Sequence, residues 1–221
     1  MRRSGNFTIM DAVELPRIPP DLLGRLRSDP VHAPEIIALA AGEVHGPAAQ
    51  RWERGLRSRY DISDANLAKK AKARHAALAR VEGAATGVGG LLTMIPDLVG
   101  LLWIQSRLVF YVAAAYGFDP NDPMRPAELL VLRNLYPDRA AARAALDGEG
   151  RRLAEAMVDK SLRGGRQDAA LITALLRFAG KRSAKSLAGR AIPGLAVFVN
   201  SVSNERDTRA LADRTIKFYG G

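Results

Sequence analysis

The chain has 221 residues, long enough for one sizeable core, and no cysteine, which excludes disulfides, zinc–thiolate sites and thiol nucleophiles and is compatible with a reducing cytoplasm. Its formal net charge of +10 admits nucleic acid or anionic lipid as a partner. Aromatics are only 6% of residues and fall mostly in apolar segments, whereas nucleic-acid modules interleave stacking rings with their charges, so nucleic acid is not expected and an anionic membrane surface fits better.

Arg2 and Arg3 are followed by no apolar stretch, so no secretory signal is expected. Residues 1–34 are punctuated by Pro16, Pro19, Pro20, Pro30 and Pro34 and read as an arm, with one short helix near Asp21–Arg27. A helical domain is expected over 35–221. Pro34 suits the start of a helix over Glu35–Ala41, and a second helix carries Trp52 and Leu56 over about Pro47–Arg59.

Ser63 is a good N-cap for a long helix from Asp64. Leu67, Ala71, Leu78 and Val81 give it a thin apolar stripe. Lys69, Lys70, Lys72, Arg74 and Arg80 form a basic flank, either a solvated face or a contact for lipid headgroups. His75 is read as a hydrogen-bonded structural residue, with a ligand-binding role as the sharper alternative.

The most apolar stretch is Gly83–Phe118. Gly83, Gly87 and Gly90 fall near one helical face, and a glycine inside a helix costs about 1 kcal/mol relative to alanine. Close approach of a second helix is the physical reason for accepting that cost. Pro96 is expected to end or kink the first helix, and Asp97–Tyr116 to form a second, stopped at Gly117 and the turn that follows. Leu98–Tyr116 nearly reaches the length of a membrane span, but Arg107 sits at its middle, where insertion costs at least about 2.5–3.5 kcal/mol. Burial in protein is therefore expected, with monotopic insertion and a true span as alternatives.

Beyond the centre, Pro126–Tyr136 reads as a short amphipathic helix, and Asp138 as the cap of Arg139–Leu146. Leu153, Met157 and Leu162 mark a further helix, and Asp168–Phe178 another. A second apolar element, Ala191–Val199, repeats the order Ile-Pro-x-Leu at Ile192–Leu195 and Ile95–Leu98. No stretch alternates with period two over a useful length, so the expected fold is all-α, a single helical domain around a Gly-rich, Pro-hinged apolar pair.

The block Ala73–Asp119 resembles the signature of the EcsC family. Gly83, Gly87, Gly89 and Gly90 match its glycines, Pro96 and Asp97 its junction, and Arg107 with Tyr116-Gly117 its apolar helix. Ile192-Pro193, Asn204, Thr208 and Arg209 are similar to its C-terminal block, and the resemblance covers about Ala65–Phe218. It implies a bacterial helical protein of undefined activity and carries over no catalytic residue. Because the family takes its name from a protein encoded beside the two parts of an ABC transporter, it also admits a scaffold for a membrane transporter.

Walker A, dinucleotide-binding, HExxH, EF-hand and GxSxG patterns are absent. What remains is polar groups in apolar surroundings. Asp97 is placed to accept from the N-terminal amides of its helix. Arg107 must find a carboxylate, Glu82 or Asp97, or else an anionic ligand, because an unpaired buried guanidinium costs several kcal/mol. Asn204 and Thr208 share a helical face. Asn200, Asn204 and Asp207 place three oxygen ligands together, a weak pattern for Mg²⁺ against a diphosphate.

Two classes of function follow, and whether the chain is catalytic stays open. In one, the protein binds a hydrophobic or lipid-like molecule or a membrane surface, with His75, Gly87, Gln105, Arg107, Asn204 and Thr208 as candidate contacts. In the other, Glu82, Asp97 and Arg107 act as acid/base or anion-binding groups on an isoprenoid or acyl lipid in an apolar cavity.

Overall fold

The computed structural model describes residues 16–86, 94–156, 165–179 and 195–221. Among them are eight α-helices and no strand, in agreement with the all-α expectation. They are α1 (Leu22–Ser28), α2 (Ala33–Arg57), α3 (Asp64–Thr86), α4 (Met94–Ala115), α5 (Arg125–Leu132), α6 (Arg139–Ala156), α7 (Gly165–Ala179) and α8 (Leu195–Gly220).

The core is built around α4, which is apolar on all sides and must be enclosed. It contacts α2, α3, α5, α7 and α8, while α3 lies along α8. Its apolar window is long enough to cross a membrane, yet 94% of that window is buried inside the protein. Trp103 and Phe110 are among the largest fully buried side chains. On α3 the buried face is alanine-rich (Ala68, Ala71, Ala76 and Ala79), which lets its backbone come close to its neighbours. Leu22 and Leu26 of α1 join the same core cluster.

Helix boundaries differ from the local reading in instructive places. In place of separate helices over Glu35–Ala41 and Pro47–Arg59 there is one 25-residue helix, Ala33–Arg57, with Pro47 inside it. Proline there removes one backbone bond but does not end α2, because packing on both sides holds the helix. At Gly46 the neighbouring chain is so near that a Cβ would lie 2.8 Å from the Pro120 carbonyl oxygen. Pro96 does not close the helix before it but lies in the first turn of α4, where its missing N–H has no partner to lose. Residues 139–156 form one helix through Gly148, and Leu195 opens a 26-residue helix in place of the short element expected to end at Val199. Gly87, Gly90 and residues 191–194 lie outside the described residues.

The predicted caps hold. Ser63 Oγ accepts from the Asn66 amide at 3.4 Å, and Asp138 Oδ1 from the Ala141 amide at 2.8 Å. Gly117 (φ +79°) ends α4, with Phe118 N–H donating to the Ala113 carbonyl at 3.1 Å and Gly117 N–H to Ala114 at 3.0 Å. The same pair of bonds ends α5 around Asn134 (φ 55°), where Leu135 donates to Leu130 at 3.1 Å and Asn134 to Val131 at 2.8 Å. This is why α5 stops short of Tyr136.

Two glycine substitutions are expected to have opposite signs. Gly46→Ala should destabilise the fold by about 1–3 kcal/mol through the clash with Pro120. Gly24→Ala, in α1 with nothing within 4 Å of the added carbon, should stabilise it by about 0.4–1 kcal/mol. Chemical denaturation of both variants checks the pair, and equal effects would show that α2 is not tightly seated.

Candidate functional site

From Leu98 to Ala115 every residue of α4 is buried except Arg107. Over that span the enclosure of the helix has one gap, and a cleft of about 260 Å³ opens there. Val44, His45 and Ala48 of α2 form one wall, and Arg74 of α3 and Arg107 of α4 the other. Pro16 and Arg17 close the third side, held by the Trp103 indole, whose Nε1 donates to the Arg17 carbonyl at 3.1 Å.

Arg107 Nη2 donates to the Tyr111 hydroxyl at 2.7 Å, and its guanidinium carbon lies 4.7 Å from that ring's centroid. Neither contact neutralises it. Among the described residues no carboxylate forms an ion pair with Arg17, Arg74 or Arg107. The expected partners of Arg107 lie elsewhere. Glu82 rests in the space left by the missing side chain of Gly100, seven residues or about 10 Å before Arg107 along the helix. Burial, and then the nearby Asp97 charge, raise the Glu82 pKa above its ordinary value. Glu82 thus lies within the field of Asp97 and makes no ion pair with the arginine.

Two buried imidazoles stand here, His45 in the wall of the cleft and His75 behind it. His45 is 1% exposed, its ring centroid 4.3 Å from that of Trp103, and its Nε2 has no hydrogen-bond partner. Burial holds its pKa well below 6.5, with Arg107 and His75 adding to the effect. His75 is fully buried, with Nδ1 donating to the Ala71 carbonyl at 2.7 Å and its ring 5.0 Å from Tyr111. Burial lowers its pKa to about 3, so the ring is neutral and its Nε2 is an unpartnered acceptor. His75 thus has the structural hydrogen bond expected of it, and it stands one layer behind the cleft rather than on its wall.

Gln105 and Thr208 belong to a separate, internal network. Gln105 Nε2 donates to Thr208 Oγ1 at 3.0 Å, and Thr208 donates to the Asn204 carbonyl at 2.6 Å. Gln105 Oε1 accepts from Arg133 Nη2 at 2.7 Å, and Arg133 also lies 5.1 Å from the Phe178 ring. Burial, with Arg214 nearby, lowers the Arg133 pKa to about 9, and Asp207 partly offsets the shift. Arg133 therefore remains charged at neutral pH, solvated by an amide and an aromatic face. Ser106 spends its hydroxyl on the Leu102 carbonyl at 2.8 Å.

A third cluster ties the end of α8 to α5. Glu128 Oε2 accepts from Tyr219 at 2.5 Å and from Arg125, while Arg139 reaches Oε1 at 3.4 Å. Burial and the Glu128 charge push the Tyr219 phenol pKa far up, so it stays protonated and donating.

The sequence-derived candidates thus separate. Glu82 and Asp97 are together, Arg107 is at the cleft with His75 behind it, and Gln105, Asn204 and Thr208 form the internal network. Asp207 acts on Arg133 electrostatically. Gly87 and the Asn200 side chain lie outside the described residues, and among those described no group of three or more His, Asp or Glu side chains gathers as a metal site. Sequence reasoning missed His45, although a signal existed: carried past Ala41, the buried spacing Ala38, Ala41, His45, Ala49 places it on the inner face of α2. Arg17 and Arg133 had no such signal.

Fold and cleft together define an all-α protein whose buried apolar helix opens to solvent at a carboxylate-free basic notch. The sequence model of the EcsC protein family matches residues 62–220, well over half of the chain, and the chain belongs to that family. Protein EcsC of Bacillus subtilis (strain 168) is 35% identical over 79 residues, which are 35% of this chain and 34% of that protein. The uncharacterized protein YdbA of the same organism is 41% identical over 44 residues, 20% of this chain and 16% of that protein. The matched stretches therefore span about a third or less of either relative. No solved structure matches. The family region contains α3–α8 and supplies Arg74 and Arg107, whereas Arg17 and His45 come from the preceding residues.

The titrating groups predict opposite pH limbs. An unfolded histidine takes up a proton near 6.5, while folded His75 resists until about 3. Stability contributed by its neutrality is thus present above 6.5 and lost as pH falls. Glu82, with its pKa raised, favours the fold below its ordinary value and loses that contribution as pH rises through its folded pKa. In thermal melts, His75→Leu should shrink the fall in Tm between pH 7 and pH 5. Glu82→Gln should raise Tm more at pH 7 than at pH 4. Parallel pH profiles for wild type and either variant would remove that residue from the account.

Proposed function

We propose that this protein is a non-catalytic binding protein for anionic, lipid-like molecules, and that it associates peripherally with membrane surfaces through them. The observation that carries this reading is the carboxylate-free cleft, lined by Arg17, Arg74 and Arg107 at the gap in the burial of α4 between Leu98 and Ala115. Guanidinium groups are weakly hydrated and fit phosphate and carboxylate oxygens in a planar fork. Val44 and Ala48 supply an apolar wall beside them, and Val44 is 39% exposed. A charged head and the start of a hydrocarbon tail match that pairing.

The basic flank of α3 supports the same reading. Lys69, Lys70 and Arg80 are exposed on the helix that carries Arg74, and the whole chain has a net charge of +10. Anionic lipid of the cytoplasmic leaflet attracts such a surface by about 1 kcal/mol per basic residue near it. A peripheral mode fits better than a spanning one, because exposing α4 to lipid would require unpacking a window that is 94% buried. The enzymatic alternative would need Glu82, Asp97, Arg107 and Asn204 around one cavity, and it is less supported because only Arg107 of the four lines the cleft.

Sedimentation with liposomes tests the proposal. The protein should pellet with vesicles containing phosphatidylglycerol or phosphatidic acid and stay in solution with pure phosphatidylcholine. Binding should weaken as salt shortens the Debye length from about 10 Å at 0.1 M to about 3 Å at 1 M. Protein left in the supernatant with every vesicle would end this reading.

A further inference from the structure

We propose that the cleft is a phosphate-monoester site, in which Arg17, Arg74 and Arg107 hold the anion and His45 Nε2 makes a hydrogen bond at its base. The inference rests on the anionic-ligand reading above and narrows it to one headgroup chemistry.

Size argues for a headgroup rather than a whole lipid. Pockets that enclose a drug-sized ligand measure about 300–1,000 Å³, and this cleft offers about 260 Å³, open to solvent. Any acyl chain must leave it past Val44 and Ala48, the apolar part of its lining.

Charge argues for a doubly charged group. Three arginines from three separate segments line the cleft, without an ion-paired carboxylate among the described residues. A phosphate monoester carries about −1.5 to −2 charges at pH 7 and presents three terminal oxygens. It can therefore engage all three arginines at once. A phosphodiester carries a single charge on two terminal oxygens and leaves one guanidinium unmatched.

Hydrogen bonding argues for the monoester again. His45 lines the cleft, is nine-tenths or more buried, and has an Nε2 without a partner, a state that costs about 1–3 kcal/mol for a buried polar atom. A monoester, whose second pKa lies near 6, has an oxygen that can donate as P–OH or accept as P–O⁻. It completes Nε2 in either tautomer of the ring. The titratable groups facing that ring are Arg107 and His75; burial first, and then both of these, disfavour a proton on free His45, while a backbone hydrogen bond with Trp103 partly offsets them. A bound dianion reverses the sign of that field.

Isothermal titration calorimetry of the full chain with inorganic phosphate, run beside vesicle sedimentation with phosphatidic acid (a monoester) and phosphatidylglycerol (a diester), tests the site. Phosphate should bind, and Arg107→Met and His45→Phe should each weaken it at least about tenfold. Arg74→Gln, on a partly exposed position of α3, repeats the test if either core variant fails to fold. Phosphate should also displace the protein from phosphatidic acid vesicles. Binding of phosphate without binding to any vesicle would assign the site to soluble phosphate esters; the inference would stand while the membrane reading fell. Binding to both vesicle types with no heat from phosphate, or phosphate affinity unchanged by Arg74→Gln, would overturn the inference and leave the membrane reading intact. Silence in every arm would remove both.

Discussion

The burial of α4 is the constraint from which the rest of the structure follows. A helix apolar on every side has no face to offer water, and each large side chain it hides contributes about 1.5–3 kcal/mol. Five other helices therefore converge on it. Close approach is bought with missing side chains. Gly42 and Gly46 of α2 admit Pro126 and Pro120, Gly100 admits Glu82, and alanines line the buried face of α3.

Every polar group that α4 carries into this core then has to be resolved where it stands. Gln105 is matched on both sides of its amide by Thr208 and Arg133, and Ser106 bonds back to its own helix. Arg107 is too large and too strongly charged for either solution. It remains at the edge of the enclosure, and its position defines the cleft. The same physics explains the histidines: burial, and then the nearby Arg107 charge, disfavours a proton on either ring, and both stay neutral.

Charges elsewhere in the molecule are sorted differently, which sets the cleft apart. Glu128 is shared among Arg125, Arg139 and Tyr219, and so fixes the end of α8 against α5. Arg57 is paired with Glu53 and Asp64 while its Nη2 donates to the Ala115 carbonyl at 2.9 Å, closing the C-terminus of α4. These arginines are structural ties with acidic partners. Those of the cleft have none among the described residues. The cleft also joins the family region to the residues before it, since Arg74 and Arg107 face Arg17 and His45 across the seam.

Much of this was legible in the residue order, because it depends on local chemistry. The apolar run of α4, the Ser63 and Asp138 caps, the Gly117 stop and the short α1 all follow from side chains within a turn of one another. Local rules failed where neighbours distant in sequence overrode them: Pro47 lies inside a helix it was expected to open, the helix expected to end at Leu146 runs on to Ala156, and Asn134 ends one without glycine. The sequence by itself determined that the fold is helical, that α4 is its centre, and that Arg107 requires an answer. Only the tertiary structure decided what that answer is, by seating Glu82 against Gly100, Gln105 on Arg133, and Arg107 in a notch shared with Arg17, Arg74 and His45. Helical periodicity specifies which face of each helix is buried, but the choice of partner across that face is made by packing between helices far apart in the chain.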